Sequence, residues 1–475
     1  MGNTHTVERP TVVIAGANGY IGRNLIKELM KNADIIALSR STPKRQPENQ
    51  QIIWRSCDLF SVIETEESLR GADYAIYLVH SMLPSARLTQ GSFEDMDLIL
   101  ADNFAQAAEK NGVKQIVYLS GLIPDTDDLS RHLKSRLEVE KVLGSYNVPL
   151  TTLRAGLIVG PRGSSFPILV KLVKRLPIML LPKWTNTLTH PIALQDVLHA
   201  IKQCIGNQTV FNRPIDIGGP DVMTYREMMQ LTSQALGKTR YLCNIPYLTV
   251  RLSRLWVSLT TNTPKNLVYP LIESLIHPMT AQPERIVDGI SLGKTPFIQA
   301  ASDALQFEQQ VRRDKQKAPS KIVIRISNVT KVDNVRSVQR VRIPQGKNAK
   351  WLALYYVEWL SHYVKPFIRV ELDHTNNCKL FTFFGKKPLL ELTFSDKKSA
   401  PNRALFYIAG GALALSKDNH RARLEFIHIP GTNECIIAIH DYIPSIPWFI
   451  YQYTQAKLHL WVMKKFKKNL NSFLG

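Results

Sequence analysis

Three glycines set three residues apart, Gly16, Gly19 and Gly22, follow the apolar run at 11–15 and open a stretch whose Leu25, Ile26 and Leu29 fall at helical spacing. This order suits a diphosphate. Gly16 permits a tight turn, Gly19 lets backbone approach a pyrophosphate, and Gly22 lets the helix lie close to the strand. The helix N-terminus then offers unpaired N–H groups and the positive end of its dipole to the phosphates. Asn18, Tyr20 and Ile21 complete the loop and are expected to line the same site. The competing reading is a bare strand-to-helix turn that holds no ligand.

A second group of residues would choose the nucleotide. The strand expected over 34–39 ends in Ser39-Arg40, followed by Lys44 and Arg45, with no acid nearby. An Asp or Glu at this place binds the ribose 2′-hydroxyl of NAD, whereas cations there suit the 2′-phosphate of NADP. Arg40 can fork onto a phosphate and Ser39 can donate to it. NADP is therefore the expected cofactor, with NAD the less favoured one. An ordinary solvated loop is the bland account of the same charges.

These residues need a frame to hold them. Strand patterns at 11–15, 34–39, 51–55, 74–79, 113–119, 150–154 and 213–217 alternate with helical patterns at 21–31, 62–70, 93–110, 131–145, 164–174, 194–206 and 224–236. Such alternation predicts a Rossmann-like, doubly wound parallel α/β sheet over residues 8–300. A proline-interrupted apolar stretch at about 240–290 reads as a small helical lobe, and the polar, charged segment 301–319 as a linker. From 320 to 475 the pattern changes. Strand-like segments at 320–326 and 337–343 precede a helix at 349–363, then a series of short strands, then a long helix from Trp448 to about Leu470. That order predicts a C-terminal α+β domain of helix-grip type, an antiparallel sheet with a long terminal helix.

With 475 residues, the chain is long enough for two cores of ordinary size. Its five cysteines, at 57, 204, 243, 378 and 435, form no Cys-x-x-Cys pair, so neither a disulfide frame nor a zinc site is expected. The polar start MGNTHTVERP has no signal-peptide pattern, and the expected compartment is the cytoplasm. The net charge of +21 is uneven: residues 301–475 carry +15 of it. Such a basic part favours anionic partners, either nucleic acid or acidic lipid. No zinc module, helix-turn-helix or ribonucleoprotein-type aromatic strand is present, so nucleic acid is not the expected partner.

The Gly-x-x-Gly-x-x-Gly spacing resembles that of the extended and atypical short-chain dehydrogenases/reductases, and other segments carry the same resemblance. They are Cys57-Asp58-Leu59, residues 112–120 (GVKQIVYLS), 153–161 (LRAGLIVGP), 190–197 (HPIALQDV) and 215–220 (IDIGGP). The segment Tyr77-Leu78-Val79-His80-Ser81-Met82 and the appended C-terminal domain narrow the resemblance. They point to NmrA-like, YbjT-type NAD(P)-binding proteins, cousins of the nucleotide-binding accessory subunit of respiratory complex I. The C-terminal likeness rests mainly on 421–468.

That resemblance implies Asp58 and Leu59 beside the adenine, and Leu78, Val79 and His80 near the cofactor, His80 through its backbone. Family members that reduce carbonyls use Tyr-x-x-x-Lys on a helix. The matching place reads His132-Leu133-Lys134-Ser135-Arg136, with Tyr replaced by His and Lys by Arg. By correspondence His132 would be the general acid, its ordinary pKa lying near 6.5. Arg136 would hold the nicotinamide ribose and Ser120 would orient the substrate carbonyl. Ala155 also replaces the family's proline. An acidic loop of Asp125, Asp127 and Asp128 precedes His132, suited to capping the helix or to raising the histidine's pKa.

Three functions follow as expectations. The first is an NADP(H)-dependent reductase of a small lipophilic carbonyl or quinone-like substrate, working at a membrane surface. The second, kept open by the altered Tyr-x-x-x-Lys site, is a non-catalytic NADP-bound scaffold or redox sensor. The third is a membrane-associated lipid-binding module. It rests on the last helix, where Trp448, Phe449, Tyr451, Tyr453 and Trp461 precede Lys464-Lys465 and Lys467-Lys468. That helix is too interrupted by polar residues to span a bilayer, but it could lie peripherally on the anionic inner face of a membrane. Packing on the sheet is the structural alternative. The oligomeric state is not legible.

Overall fold

The computed structural model describes residues 9–40, 51–80, 86–163, 165–245, 249–317, 332–363, 368–382, 384–415 and 422–473. Lys44, Arg45, Ser81, Met82 and the strand expected at 320–326 lie outside the described residues. The chain divides into two compact units, Met1–Met82 with Asp97–Ile324, and Leu83–Met96 with Arg325–Gly475.

The first unit is built on a seven-stranded sheet. Its strands are β1 (Thr11–Ala15), β2 (Asp34–Ser39), β3 (Ile52–Ser56), β4 (Tyr74–Tyr77), β6 (Gln115–Gly121), β7 (Leu150–Ala155) and Arg213–Ile217, while β5 (Ala86–Gln90) belongs to the second unit. The order runs Arg213–Ile217, β7, β6, β4, β1, β2, β3, and every pairing is parallel. The chain therefore winds outward in both directions from the β1–β4 pair. That switch point opens the crevice in which doubly wound sheets bind ligands. Val12, Val13, Ile14 and Ala15 are wholly buried, as a strand covered on both faces must be.

Helices α1 (Tyr20–Leu29), α2 (Val62–Ser68), α3 (Phe93–Lys110), α4 (Arg131–Leu143), α5 (Phe166–Arg175), α6 (Leu194–Cys204) and α7 (Tyr225–Ala235) follow the strands. In α1, Gly22, Leu25, Ile26 and Leu29 form the buried face. In α7 a Thr224–Glu227 capping box closes the N-terminus. The apolar lobe holds α8 (Val250–Thr261) and α9 (Lys265–Ser274). The expected linker at 301–319 is corrected: α10 (Phe297–Lys317) is helical through most of it, and Ala301, Ala304 and Leu305 are core residues. Asp303, exposed between Ala301 and Ala304, shows why the segment reads as polar in sequence while one helical face is apolar.

The second unit joins strand Val332–Arg342, α11 (Ala349–Tyr363), the meander Ile368–Leu372, Cys378–Thr382, Pro388–Phe394, Arg403–Gly410, Arg423–His428 and Glu434–Tyr442, then α12 (Trp448–Tyr453) and α13 (Gln455–Asn471). Glu434–Tyr442 returns beside Val332–Arg342, so the first and last strands close the antiparallel series. This is the expected helix-grip connectivity. The sequence pattern did not disclose β5, which adds a parallel strand to the edge at Val332–Arg342. The single terminal helix is also corrected, because Thr454 leaves helical geometry (φ −117°, ψ −86°) and separates α12 from α13. The break lets Tyr451 and Ala456 both reach the core.

Helices α11 and α13 pack on one face of this sheet, where Tyr356, Phe406, Phe426 and Phe466 share a core. Alternate residues of the same strands carry buried charge instead. Arg403 donates to Glu425 at 2.8 Å, and Arg423 bridges Glu425 and Asp441 at 2.5 and 3.0 Å.

Candidate functional site

Gly16 turns the chain out of β1 with φ of +86°, a left-handed value that glycine adopts without strain. The Gly19 N–H then donates to Gly16 O at 2.9 Å. A Cβ on Gly22 would stand 2.4 Å from Gly16 O, so glycine is what lets α1 start against the loop. No side chain caps α1, and its first turn has no acid. The free N–H groups and the dipole therefore remain available to an anion. Tyr20 packs its hydroxyl against Gly160, and burial pushes the phenol up to about 12. Ile21 packs against the core of the sheet.

Asn18 Nδ2 donates to Ser39 Oγ, linking the glycine loop to the end of β2, and Arg40 is exposed beside it. Asp58 follows β3, where Cys57 N–H donates to Ser39 O at 2.9 Å. Its carboxylate accepts the Phe60 N–H at 3.2 Å and so serves the local turn, while Leu59 is buried with its carbonyl on Asn103. Leu78 N–H donates to Ala15 O at 3.0 Å, and the Leu78 backbone lies against Gly16. Leu78, Val79 and His80 thus leave β4 beside the glycine loop, at the switch point.

Two residues past Leu78 a cluster of titratable groups begins. His80 Nδ1 contacts the Asp97 carboxylate near the start of α3, and the His80 and His132 rings stand edge to face with centroids 5.3 Å apart. His132 lies in the first turn of α4, whose N-cap is Ser130, with its Oγ accepting the Leu133 N–H at 3.3 Å. Asp125, Asp127 and Asp128 therefore do not cap this helix. Nor do they raise the pKa of His132. Burial, the Arg136 guanidinium and the His80 ring hold it well below 6.5, so it rests as neutral imidazole. Burial and Arg136 also lower His80, while Asp97 opposes them.

Arg136, implied by the resemblance as a ribose clamp, lies one turn below His132, and its Nη1 donates to the Tyr118 hydroxyl at 3.3 Å. Ser120 stands near the end of β6, and its Oγ is buried with no hydrogen-bond partner among the described residues. The buried His132 Nδ1 also meets no partner among them. Orphaned buried polar atoms are costly unless a water or a ligand pairs with them. The glycine cradle, the uncapped α1 and these two orphans together fit a dinucleotide and a polar substrate group.

Asp97 escaped the sequence reading. Its signal was an acid inside the apolar-periodic helix at 93–110, where a buried carboxylate needs a partner. The segment 190–197 proves structural. The His190 ring lies on Gly218, where a Cβ would come within 2.4 Å, and its Nε2 pairs with Gly219 O at 2.7 Å. Asp196, Asp216 and Asp221 accept the Thr295, Gln282 and Phe297 N–H groups at 2.8–3.0 Å, pinning 282–297 in place. Among the described residues no group of three or more His, Cys, Asp and Glu could hold a metal ion.

A family described as NAD(P)H-binding matches residues 16–156, from the glycine loop to the end of β7. The auxiliary protein GraX of Staphylococcus aureus is 31% identical over 144 residues, 30% of this chain and 43% of that protein. The mitochondrial NADH-ubiquinone oxidoreductase 40 kDa subunit of Neurospora crassa is 22% identical over 246 residues, 50% of this chain and 63% of the subunit. The chain thus spans about half the length of these relatives. Among solved structures, the NADPH-dependent quinone oxidoreductase QOR2 of Escherichia coli, complexed with NADPH, is 19% identical. It superposes on 62% of this chain and 99% of its own with a TM-score of 0.50. A nucleoside-diphosphate-sugar epimerase of Staphylococcus aureus superposes over the same shares at 13% identity and the same TM-score. At these identities the structures establish the fold.

Proposed function

We propose that this chain, whose first unit is an NAD(P)-binding domain of the atypical short-chain dehydrogenase/reductase type, is an NADP(H)-dependent reductase of a lipophilic carbonyl or quinone-like substrate at a membrane surface. The observation that carries the reading is the buried, partnerless Ser120 Oγ and His132 Nδ1 at the switch-point end of the sheet. The end of β2, with half-buried Ser39 tied to the glycine loop through Asn18 and Arg40 exposed, supports NADP over NAD. The quinone oxidoreductase among the neighbours and the respiratory-chain subunit among the relatives agree in kind.

A reduced nicotinamide dinucleotide, held by the glycine loop and the Ser39-Arg40 end of β2, would supply hydride chemistry. The chain's own residues handle the oxygen. Ser120 Oγ donates a hydrogen bond to the carbonyl and orients it. His132, neutral at pH 7, polarises the same oxygen as a hydrogen-bond donor rather than as an imidazolium. The proton that ends on the oxygen enters from solvent by way of His80, which Asp97 holds in place. Burial holds the neighbouring imidazoles neutral, and Arg136, bonded to Tyr118, adds to it. A lipophilic substrate suits the lobe, where α8 leaves Leu252, Leu255 and Leu259 exposed along one stripe. Ser130 Oγ, at the start of α4, bonds Ser274 Oγ at the end of α9 at 2.8 Å, so this lobe is fastened to the helix that carries His132.

The test is NADPH oxidation against a panel of quinones and lipophilic aldehydes and ketones, with wild type beside Ser120→Ala and His132→Asn. Turnover of some member, reduced about a hundredfold in each variant, is the expected result. Tight NADPH binding with no oxidation by any member would instead favour the scaffold or redox-sensor reading.

A further inference from the structure

The apolar face of α13 is spent on the core, through Ala456, Met463, Phe466 and Leu470. Its outward face is of another kind. Lys457, Trp461, Lys464, Lys465 and Lys468 recur at three- and four-residue spacing and are all exposed, so they form one stripe. Trp461 is 49% exposed, with Lys465 Nζ 5.7 Å from its ring centre and Tyr363 of α11 at the same centroid distance. Beyond the Thr454 break, α12 buries Tyr451 and turns Phe449 and Tyr453 outward, 68% and 65% exposed, with Lys457 Nζ 5.2 Å from the Tyr453 ring. Ile450 and Leu458 are exposed beside them.

Large apolar side chains left in water cost free energy, and here they cluster beside a row of lysines rather than being scattered. No helix among the described residues is long and apolar enough to cross a membrane. We propose that the outward face of α12 and α13 is a docking surface for an anionic phospholipid membrane. The lysines bind the headgroups, and Phe449, Tyr453 and Trp461 insert at headgroup depth. The chemistry selects lipid over nucleic acid. Bases could stack on the rings and phosphates could pair with the lysines, but Ile450 and Leu458 offer neither a stacking face nor a charge. A bilayer interface takes all of them. The +15 charge of residues 301–475 gives the attraction its sign. The proposal concerns binding alone and stands whether or not the first unit is a reductase.

The test is co-sedimentation of the full chain with vesicles of phosphatidylglycerol and phosphatidylcholine in equal parts, and with phosphatidylcholine alone. Wild type is compared with Lys464→Glu/Lys465→Glu/Lys468→Glu and with Phe449→Ser/Tyr453→Ser. All five positions are exposed, and thermal unfolding and NADPH affinity should match wild type in both variants. Binding to the anionic vesicles alone is expected, weakened at least about tenfold by the lysine changes and by higher salt. The aromatic changes should leave a residual binding that salt abolishes. Trp461 emission, taken as the difference between wild type and Trp461→Phe, should shift to the blue on binding. Equal binding to both vesicles, unchanged binding by the lysine variant, or binding to single-stranded RNA but not to vesicles would overturn the proposal.

Discussion

His80 stands between a carboxylate and a second imidazole: Asp97 contacts its Nδ1, and the His132 ring meets its ring edge to face at 5.3 Å. The order Asp97, His80, His132 joins α3, the end of β4 and α4, three elements far apart in sequence. Fixing one face of His80 sets its tautomer, which is what a proton-carrying imidazole requires.

The pH dependence separates the two histidines. Burial and Arg136 hold His80 below its ordinary value, and Asp97 opposes them. If protonated His80 delivers the proton, kcat falls as pH rises through that pKa. Asp97→Asn removes the opposing charge, so the limb should move to lower pH and kcat at pH 7 should drop about ten- to a hundredfold, with KM for NADPH unchanged. His132→Asn should lower the plateau and leave the limb where it is. A pH–rate profile of the two variants in which both limbs move together would refute this division of roles.

Arg40 tests the cofactor. Its guanidinium is exposed, and Asn18 holds Ser39 at the same corner, where the proposal puts the 2′-phosphate. Arg40→Ala should weaken NADPH binding about tenfold and leave NADH binding unaltered, since one charge-assisted contact is lost. Tryptophan quenching titrations with both nucleotides measure it. Equal weakening of both would place Arg40 on the shared part of the dinucleotide.

Much of this frame was legible because its signals are local. The helices at 93–110 and 349–363 follow from periodicity alone and agree with the structure residue for residue. The glycine loop follows from spacing, because Gly19 and Gly22 answer steric demands of the loop itself, while Gly16 takes a positive φ and also meets Leu78. What stayed hidden is tertiary. Asp97 shows only a helical position in sequence, and its meaning comes from His80, which the fold brings to it. Arg136 shows only its spacing from His132 in sequence, and its contact with Tyr118 on β6 comes from the fold. Strand β5 pairs with residues about 250 positions away, as Ser337 with Gln90, a register no local pattern encodes.

Gly22 and Gly112 should respond differently to a methyl group. A Cβ at Gly22 would overlap the backbone of Gly16 and Ala17, at 2.4 and 2.8 Å, so the loop must move. Gly22→Ala should cost about 1–3 kcal/mol and abolish NADPH binding together. At Gly112 the same atom meets open space, and only the backbone φ of +67° resists it. Gly112→Ala should therefore cost about 1–2 kcal/mol and leave nucleotide affinity untouched. Thermal unfolding with and without NADPH distinguishes the two.

The second unit should lose stability in mild acid through its histidines. Burial holds His440 at about 3, aided by Arg423, Arg336 and Arg403 and opposed by Glu425. Burial holds His459 at about 4, with its Nε2 3.0 Å from Ser337 Oγ. Both are neutral in the fold but bind a proton when unfolded, below about pH 6.5. The unfolded state then holds more protons, so stability is complete above that pH and declines as pH falls toward the folded values. Each histidine contributes a slope approaching about 1.4 kcal/mol per pH unit. Glu425 acts in the same direction at lower pH. Burial raises its carboxyl, but Arg403 and Arg423 overcome that and hold it well below the usual range. His459→Gln keeps a hydrogen-bonding side chain for Ser337 and removes one titration. Its urea-unfolding free energy should therefore fall less steeply than wild type between pH 6.5 and 4.5, by about 1 kcal/mol per unit. Parallel slopes would mean that His459 is already charged in the folded chain.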